Sequence, residues 1–421
     1  MSQAGQPRTA VLDPPSAESL GGSDLWAVPV EATVGADLPR VLMILKRPHG
    51  LRGMQQQALR VTQALRARGA EVSILGHSRR FSRPPGHWDP SIPVEYVVTP
   101  GQLRFVVELS RRLIRQADEY DVVHVHGFGA EALAALLARR RTGRPVVVKP
   151  STAGPGTKLH RHATLARVLP LGPRWLWRQV DAWVCISEQT RADVLRLGVR
   201  EARVHRIPNG ADTAIWRPLP PAERQALRTR LGLQPTDRVV VTAAQLLPRK
   251  RVDLMVRAWL ALAPTHPQLH LWVLGKGEQL EELRALCAAA PGGERVWLPG
   301  RIKPPQVLER FQAADLFGLL SLWEGLPNAL LEAMACGLPA LATGVSGMED
   351  VVRHEQTGLL APVDDQPAVE AALRRLVSDD AFRQQLGDQA AQFIVEQYSM
   401  ESTAAQLLTL YQQLRGQRGT R

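Results

Sequence analysis

Two glutamates, Glu324 and Glu332, stand eight positions apart in the stretch EGLPNALLEAMACGLP. Between them Gly325, Leu326 and Pro327 lead into an apolar run of helical character. A proline suits the first turn of a helix, where its missing N–H has no bond to make. The unbonded amides and the dipole of such a helix end attract anions. Glu332 is surrounded in sequence by Leu330, Leu331, Ala333, Met334 and Ala335, which leave little polar face. A carboxylate in that setting needs a hydrogen-bonding partner, and vicinal hydroxyls, as on a ribose, offer two donors. Glu324, ahead of the helix, can accept from the hydroxyls of a second sugar. Two hydroxyl-binding carboxylates around an anion site match a nucleotide-diphosphate-sugar. An exposed surface glutamate is the plain alternative for Glu332.

Such a site needs a strand-to-helix turn, and the chain supplies many. Apolar runs typical of buried parallel strands begin at RVLMIL (40–45) and continue through EVSIL, VEYVV, DVVHVH, RPVVVK and AWVCIS. Helical patterns separate most of them. Met54, Ala58, Val61 and Leu65 share one face of a helix expected over about 53–68, which Gly69 ends. After the strand and turn of VHRIPNGAD and the proline-rich RPLPPAE (217–223), the alternation restarts with RVVVTA, LHLWVL, RVWLPG, DLFGLL, PALAT and TGLLAP. The expected architecture is α/β, with two tandem Rossmann-like doubly wound domains and a cleft between the C-terminal ends of their sheets. The expected divisions are a disordered tail over 1–38, a first domain over 39–217, a second over 218–398, and a C-terminal helix over 399–421 that could cross back to the first domain.

The 421 residues carry a formal charge of +12, unevenly spread. From Arg40 to Arg217 there are 30 basic and 13 acidic residues; from Pro218 onward, 21 and 22. A basic first half suggests an anionic partner there, against the alternative of a solvated arginine-rich surface. RRLIRQ (111–116), ARRRTGR (138–144) and PRWLWRQ (173–179) mix arginine with leucine, isoleucine or tryptophan, as interfacial elements do. They make an anionic membrane surface or a phosphate-bearing acceptor a candidate partner, with the solvated-face reading kept ahead of it. No nucleic-acid motif accompanies the charge. No apolar run is long enough to span a membrane, and no secretory leader is expected. Cys185, Cys287 and Cys336 lie scattered in apolar contexts, as expected of buried thiols in a reducing, cytoplasmic setting.

An ordered set of motifs resembles the retaining family-four glycosyltransferases of the glycosyltransferase-B fold. EGLPNALLEAMACGLPALAT with its E-x(7)-E pattern, GMEDVV and QTGLLAPVDD resemble the family signature. LLPRKRVDLMVRAW, VLGKGEQLEELRAL and VWLPGRI resemble its donor-side loops, and IPNGADTAIWRP, DVVHVH and HGLRGMQQQ its first domain, so that the likeness runs from about Arg40 to Tyr411. The resemblance implies that Glu332 binds ribose hydroxyls, Glu324 the transferred sugar, and the backbone of Gly325, Leu326 and Pro327 sugar or phosphate. It gives Lys250 the diphosphate, Gly300 and Arg301 the base, His126 the sugar, and Gly53 a place near the phosphates. Two positions depart from the pattern. Gln245 replaces an arginine that normally also holds the diphosphate, with Arg249 or Arg251 as possible substitutes whose neighbours suggest surface. Arg52 replaces the first glycine of a Gly-Gly pair and could be a phosphate partner.

Breaking a sugar–phosphate bond leaves negative charge that something preorganised must hold. The chain has no Asp-x-Asp motif for a metal, so Lys250 and the helix end after Glu324 are expected to do it, with no metal or cofactor. The resemblance implies a retaining, front-side transfer from a UDP-, GDP- or related sugar to a sugar, lipid-linked or small-molecule hydroxyl. The implied setting is cell-envelope or exopolysaccharide, glycolipid or small-molecule glycoside synthesis, in the cytoplasm, free or peripheral on the inner face of the cytoplasmic membrane. Other readings are weaker. His124 with His126 and His160 with His162 have a spacing that can bind zinc, but His124 suits a sheet core and the second pair a solvated segment. A nicotinamide dehydrogenase needs G-x-G-x-x-G, and LGKGEQL has Leu280 in the third place. An epimerase or a binding-only pseudoenzyme of the same fold is the remaining alternative.

Overall fold

The computed structural model describes residues 38–46, 53–78, 91–99, 101–151, 154, 157, 159–162 and 174–417. The expected N-terminal tail up to residue 37 and Arg52 lie outside them.

The first apolar runs form seven strands: β1 (Val41–Lys46), β2 (Val72–Ser78), β3 (Val94–Val98), β4 (Val122–His126), β5 (Val146–Lys149), β6 (Ala182–Cys185) and β7 (Val204–Arg206). They build one parallel sheet in the order β3-β2-β1-β4-β5-β6-β7. Six more, β8 (Arg238–Ala243), β9 (Leu269–Leu274), β10 (Val296–Gly300), β11 (Leu316–Leu319), β12 (Ala340–Thr343) and β13 (Gly358–Ala361), build a second. Its order is β10-β9-β8-β11-β12-β13, again parallel throughout. Parallel neighbours need crossover helices, which cover both faces, and this is why the strands read as continuous apolar runs. The α/β fold with two doubly wound domains is the one expected.

Alternation within each strand sorts side chains to opposite faces. In the first sheet Ile44, Val123, Val125 and Val148 pack on Phe105, Leu109 and Leu113 of helix Gln102–Arg115 and on Leu136 of helix Ala130–Thr142. Met43, Leu45, Val122 and Val147 turn the other way. They meet Val61 and Leu65 of helix Gly53–Ala67 and Leu407, Leu410 and Tyr411 of the last helix, Met400–Gly416. In the second sheet Val241, Phe317 and Ala342 pack on helix Asn328–Ala335, and Val240, Leu316 and Leu341 on helix Val252–Leu262. Each fully buried large apolar side chain contributes about 1.5–3 kcal/mol.

The last helix thus belongs to the first sheet although it follows the second in sequence. Its route is fixed at Ser399, whose side chain caps it by accepting from Ser402 N at 3.2 Å. Ala211 N donates to Tyr398 O and Met400 N to Ala211 O, both at 2.8 Å. The chain passes so close to Gly210 that an added Cβ would lie 2.7 Å from Met400 Cα. Tyr411 Oη of this helix lies 2.5 Å from His124 Nδ1 on β4.

Candidate active site

Ligands bind doubly wound sheets where the strand order reverses. In the first sheet that point lies between β1 and β4, and in the second between β8 and β11. The segments after those strands carry most of the residues singled out from sequence. Gly53 opens the helix that follows β1, and His126 ends β4. Lys250 follows β8, and Glu324 follows β11.

Glu324 is only 8% exposed. Its Oε1 accepts from Ser321 Oγ at 2.7 Å and is ion-paired with Lys250 Nζ. Thr343 Oγ1 fixes the carbonyl of Ser321 at 2.6 Å. Burial lowers the pKa of Lys250, and Glu324 works against that shift. Arg249 adds a second cation, 3.7 Å from Glu324 Oε1 and donating to Trp323 O at 3.3 Å. The expectation that Arg249 lies on the surface is therefore corrected: packing against the loop Ser321–Glu324 brings it in. Arg251 points elsewhere, to Asp253 and Asp364.

Pro327 stands one place earlier than expected. It is the extended residue before the helix, with φ −76° and ψ 121°, and Asn328 begins the first turn. No side chain caps this helix. Its start meets the first domain instead. Asn328 Nδ2 donates to Gly53 O at 2.9 Å. Asn209 Nδ2 donates to Leu326 O at 3.1 Å and Asn328 Oδ1 at 3.0 Å. Gly325 packs so tightly that a Cβ there would lie 2.7 Å from Ser151 O. A Cβ on Gly347 would lie 1.8 Å from Gly325 O. The loop Glu324–Pro327 is therefore clasped from both sides.

Glu332 has found a partner that the sequence did not disclose. It is ion-paired with Arg60 of helix Gly53–Ala67, across the cleft. Both side chains are largely shielded, and the Arg60 guanidinium also lies 5.8 Å from the Trp216 ring. The exposed-surface alternative for Glu332 fails.

The remaining expected residues are less closely joined. His126 is buried at the end of β4, its Nε2 without a hydrogen bond. Burial holds its pKa well below the usual imidazole value, and that of His124 at about 3. Gly300 ends β10 at φ +78°, a conformation that suits glycine, and its carbonyl accepts from Gly275 N at 2.9 Å. Arg301 and Gln245 are exposed. None of these four shares a hydrogen bond with the Lys250–Glu324 group. The glycines of LGKG serve packing: a Cβ would lie 1.8 Å from Ala244 O at Gly275 and 2.1 Å from Leu246 O at Gly277. The solvated reading of His160 and His162 is also corrected. His160 Nδ1 lies 3.2 Å from buried Asp193, and His162 packs edge-on to Phe128, 5.2 Å between ring centroids.

Sequence reasoning missed Arg60, Asn209, Asn328 and Lys149. Asn209 and Asn328 sat inside quoted motifs, and their amide chemistry beside glycines was the available signal. For Arg60 the only hint was a cation on an otherwise apolar and amide-bearing helix face.

This fold and cleft define a two-domain nucleotide-sugar enzyme of the glycosyltransferase-B type. Residues 223–393 match the model of glycosyl transferases group 1, and residues 51–215 that of glycosyltransferase family 4. The chain belongs to this family of glycosyltransferases, which act on nucleotide sugars. A D-inositol 3-phosphate glycosyltransferase of Xylanimonas cellulosilytica is 28% identical over 399 residues, covering 88% of this chain and 93% of that protein. An N-acetyl-alpha-D-glucosaminyl L-malate synthase of Bacillus anthracis is 25% identical over 299 residues, covering 71% and 76%. The crystal structure of Anabaena HepE in complex with UDP and glucose superposes with a TM-score of 0.73 at 19% identity, covering 89% of this chain and all of that one.

Proposed function

We propose that this glycosyltransferase moves a sugar from a nucleotide-diphosphate-sugar to a hydroxyl acceptor with retention of configuration and without a metal ion. The observation that carries the reading is the buried Lys250–Glu324 pair directly ahead of an uncapped helix end. When a donor enters, Glu324 exchanges the ammonium for sugar hydroxyls and Lys250 turns to the diphosphate. The sugar C1–O bond to phosphate breaks, and the acceptor oxygen bonds C1 on the same face. The acceptor proton passes to the departing phosphate oxygen. Lys250 and the first amides of helix Asn328–Ala335 hold the charge left behind.

In this reading Glu332 takes the ribose hydroxyls, Gly300 and Arg301 flank the base, His126 contacts the sugar, and Gly53 lies near the phosphates. UDP-sugars are the first donors to try, because structural neighbours were captured with UDP. The acceptor is a sugar, lipid-linked or small-molecule hydroxyl of cell-envelope, exopolysaccharide or glycoside synthesis in the cytoplasm. Among the described residues no helix is long and apolar enough to cross a membrane. Peripheral docking draws support from the exposed Trp175 with Arg140 stacked 5.3 Å away. Against it, Arg139 and Arg144 are engaged internally with Asp181 and Asp121.

A thermal-shift screen of UDP-, GDP- and ADP-sugars with and without EDTA tests the donor. One series should raise the melting temperature by mass action, equally in both conditions. Stabilisation by none of them would overturn the reading, and loss of turnover in EDTA would remove metal independence. The anomeric configuration of the product, read by NMR, decides retention. Donor hydrolysis separates a transferase from a pseudoenzyme that only binds.

A further inference from the structure

Lys149 is unused so far. It ends β5 beside His126, with which it is in register. Alternation puts His124, His126 and Lys149 on one face of the sheet, the face covered by helix Gly53–Ala67 and the last helix. Lys149 is only 4% exposed, and its Nζ has no hydrogen-bond partner. Among the described residues no carboxylate offsets the charge, and burial brings its pKa down to about 8. His126 Nε2 and, on the same helix-covered side, Gln55 Oε1 are likewise without partners. Two residues on, the carbonyl of Ser151 abuts Gly325 of the donor-side loop. The β5 end is therefore set against the loop Glu324–Pro327.

Three other cations near the cleft already have carboxylate partners. Lys250 has Glu324, Arg60 has Glu332, and Arg251 has Asp253 and Asp364. Gln245 brings no charge. Arg249 shares Glu324 with Lys250, so among the described residues Lys149 differs from these cations in being buried with no partner at all. A buried ammonium with no counter-charge is costly to keep, and the first sheet would pack as well with an apolar side chain at this position.

We propose that Lys149 ion-pairs with an anionic oxygen, phosphate or carboxylate, of a substrate held at the C-terminal end of β5, beside the loop Glu324–Pro327. The substrate brings the counter-charge that the fold withholds. Two sources fit: the donor diphosphate, where Lys149 makes good the charge missing at Gln245, or an acidic group on the acceptor. The inference deepens the transferase reading and rests on it.

The test compares the full-length protein with Lys149→Met, which keeps length and apolar packing, and with Lys149→Gln and Lys149→Arg. Two probes are titrated: UDP into the unliganded protein, and inorganic phosphate into the UDP-saturated protein. The melting temperature of unliganded Lys149→Met should rise, while affinity for one probe falls at least tenfold and Lys149→Arg recovers part of it. Loss of UDP binding identifies the donor diphosphate. Loss of phosphate binding alone identifies the acceptor's acid. Unchanged affinity for both probes overturns the proposal. So does a lower melting temperature in both the Met and Gln variants, because the ammonium would then be part of the scaffold. If the wild type binds neither UDP, GDP nor ADP, the proposed function fails. Phosphate titrated into the unliganded wild type and Lys149→Met still reads the lysine on its own.

Discussion

Lys250 and Glu324 neutralise each other before any substrate arrives, so each is held ready by the other. Lys250→Met leaves Glu324 buried with only Arg249 nearby. A fall of about 10²–10³ in kcat is expected, the cost of losing one preorganised charge at the leaving group, measured as donor turnover. Gln245→Arg is expected to act in the opposite sense. A charge-assisted hydrogen bond exceeds a neutral one by about 1 kcal/mol, so UDP should bind several-fold more tightly in calorimetry. The chemistry of Glu324 was legible because an unusual carboxylate stood beside a glycine, a proline and a helix start. The need of Glu332 for a partner was equally legible. The identity of that partner was not, because Arg60 lies 272 positions away. Sequence spacing reports neighbours along one element and says nothing of what closes over it. Lys149 escaped notice for a related reason: a lysine at a strand end reads as solvated until its burial is seen.

At the scale of elements, the strands were readable because both faces of a parallel sheet are buried, and a run of valines has few other places to go. The helix boundaries were less so. Pro327 fell outside its helix because an extended residue there lets Leu326 and Asn328 meet Asn209. The junction of Gly210 with Ser399 and Met400 gives a test of packing. Gly210→Ala would push a methyl to 2.7 Å from Met400 Cα and 2.8 Å from Ser399 O, all backbone. Overpacking of this kind costs about 1–3 kcal/mol, so the denaturation midpoint should fall without any change in donor-side residues. The Arg60–Glu332 bridge gives another. Arg60→Met removes a tie between the two sheets, and small-angle scattering of the unliganded protein should record a larger radius of gyration than the wild type.

For the molecule as a whole, the buried histidines set the response to acid. His124 in the folded state has a pKa near 3, and His126 is also well below the ordinary 6.5. Between pH 6.5 and about 3 the unfolded chain therefore binds more protons than the folded one, and stability falls as pH falls. Lys149 works in the same sense at the other end. Its folded pKa near 8 lies below the ordinary 10.5, so stability contributed at this site rises between those values. Urea midpoints should drop from pH 7 to pH 4.5, with a shallower slope in His124→Gln. The basic half, conspicuous in the sequence, is partly spent on internal pairs such as Arg40–Asp121 and Arg139–Asp181, which no count of charges could reveal.

Because Met400–Gly416 completes the first sheet, synthesis on the ribosome has a fixed consequence. The N-terminal half leaves the exit tunnel with the apolar face around Val61 and Leu65 bare, and must wait until the second sheet and then residues 400–416 have emerged before it is covered. A stalled or prematurely terminated chain is thus marked by its incomplete beginning rather than its missing end, and offers chaperones and proteases a sticky surface that the finished enzyme never displays.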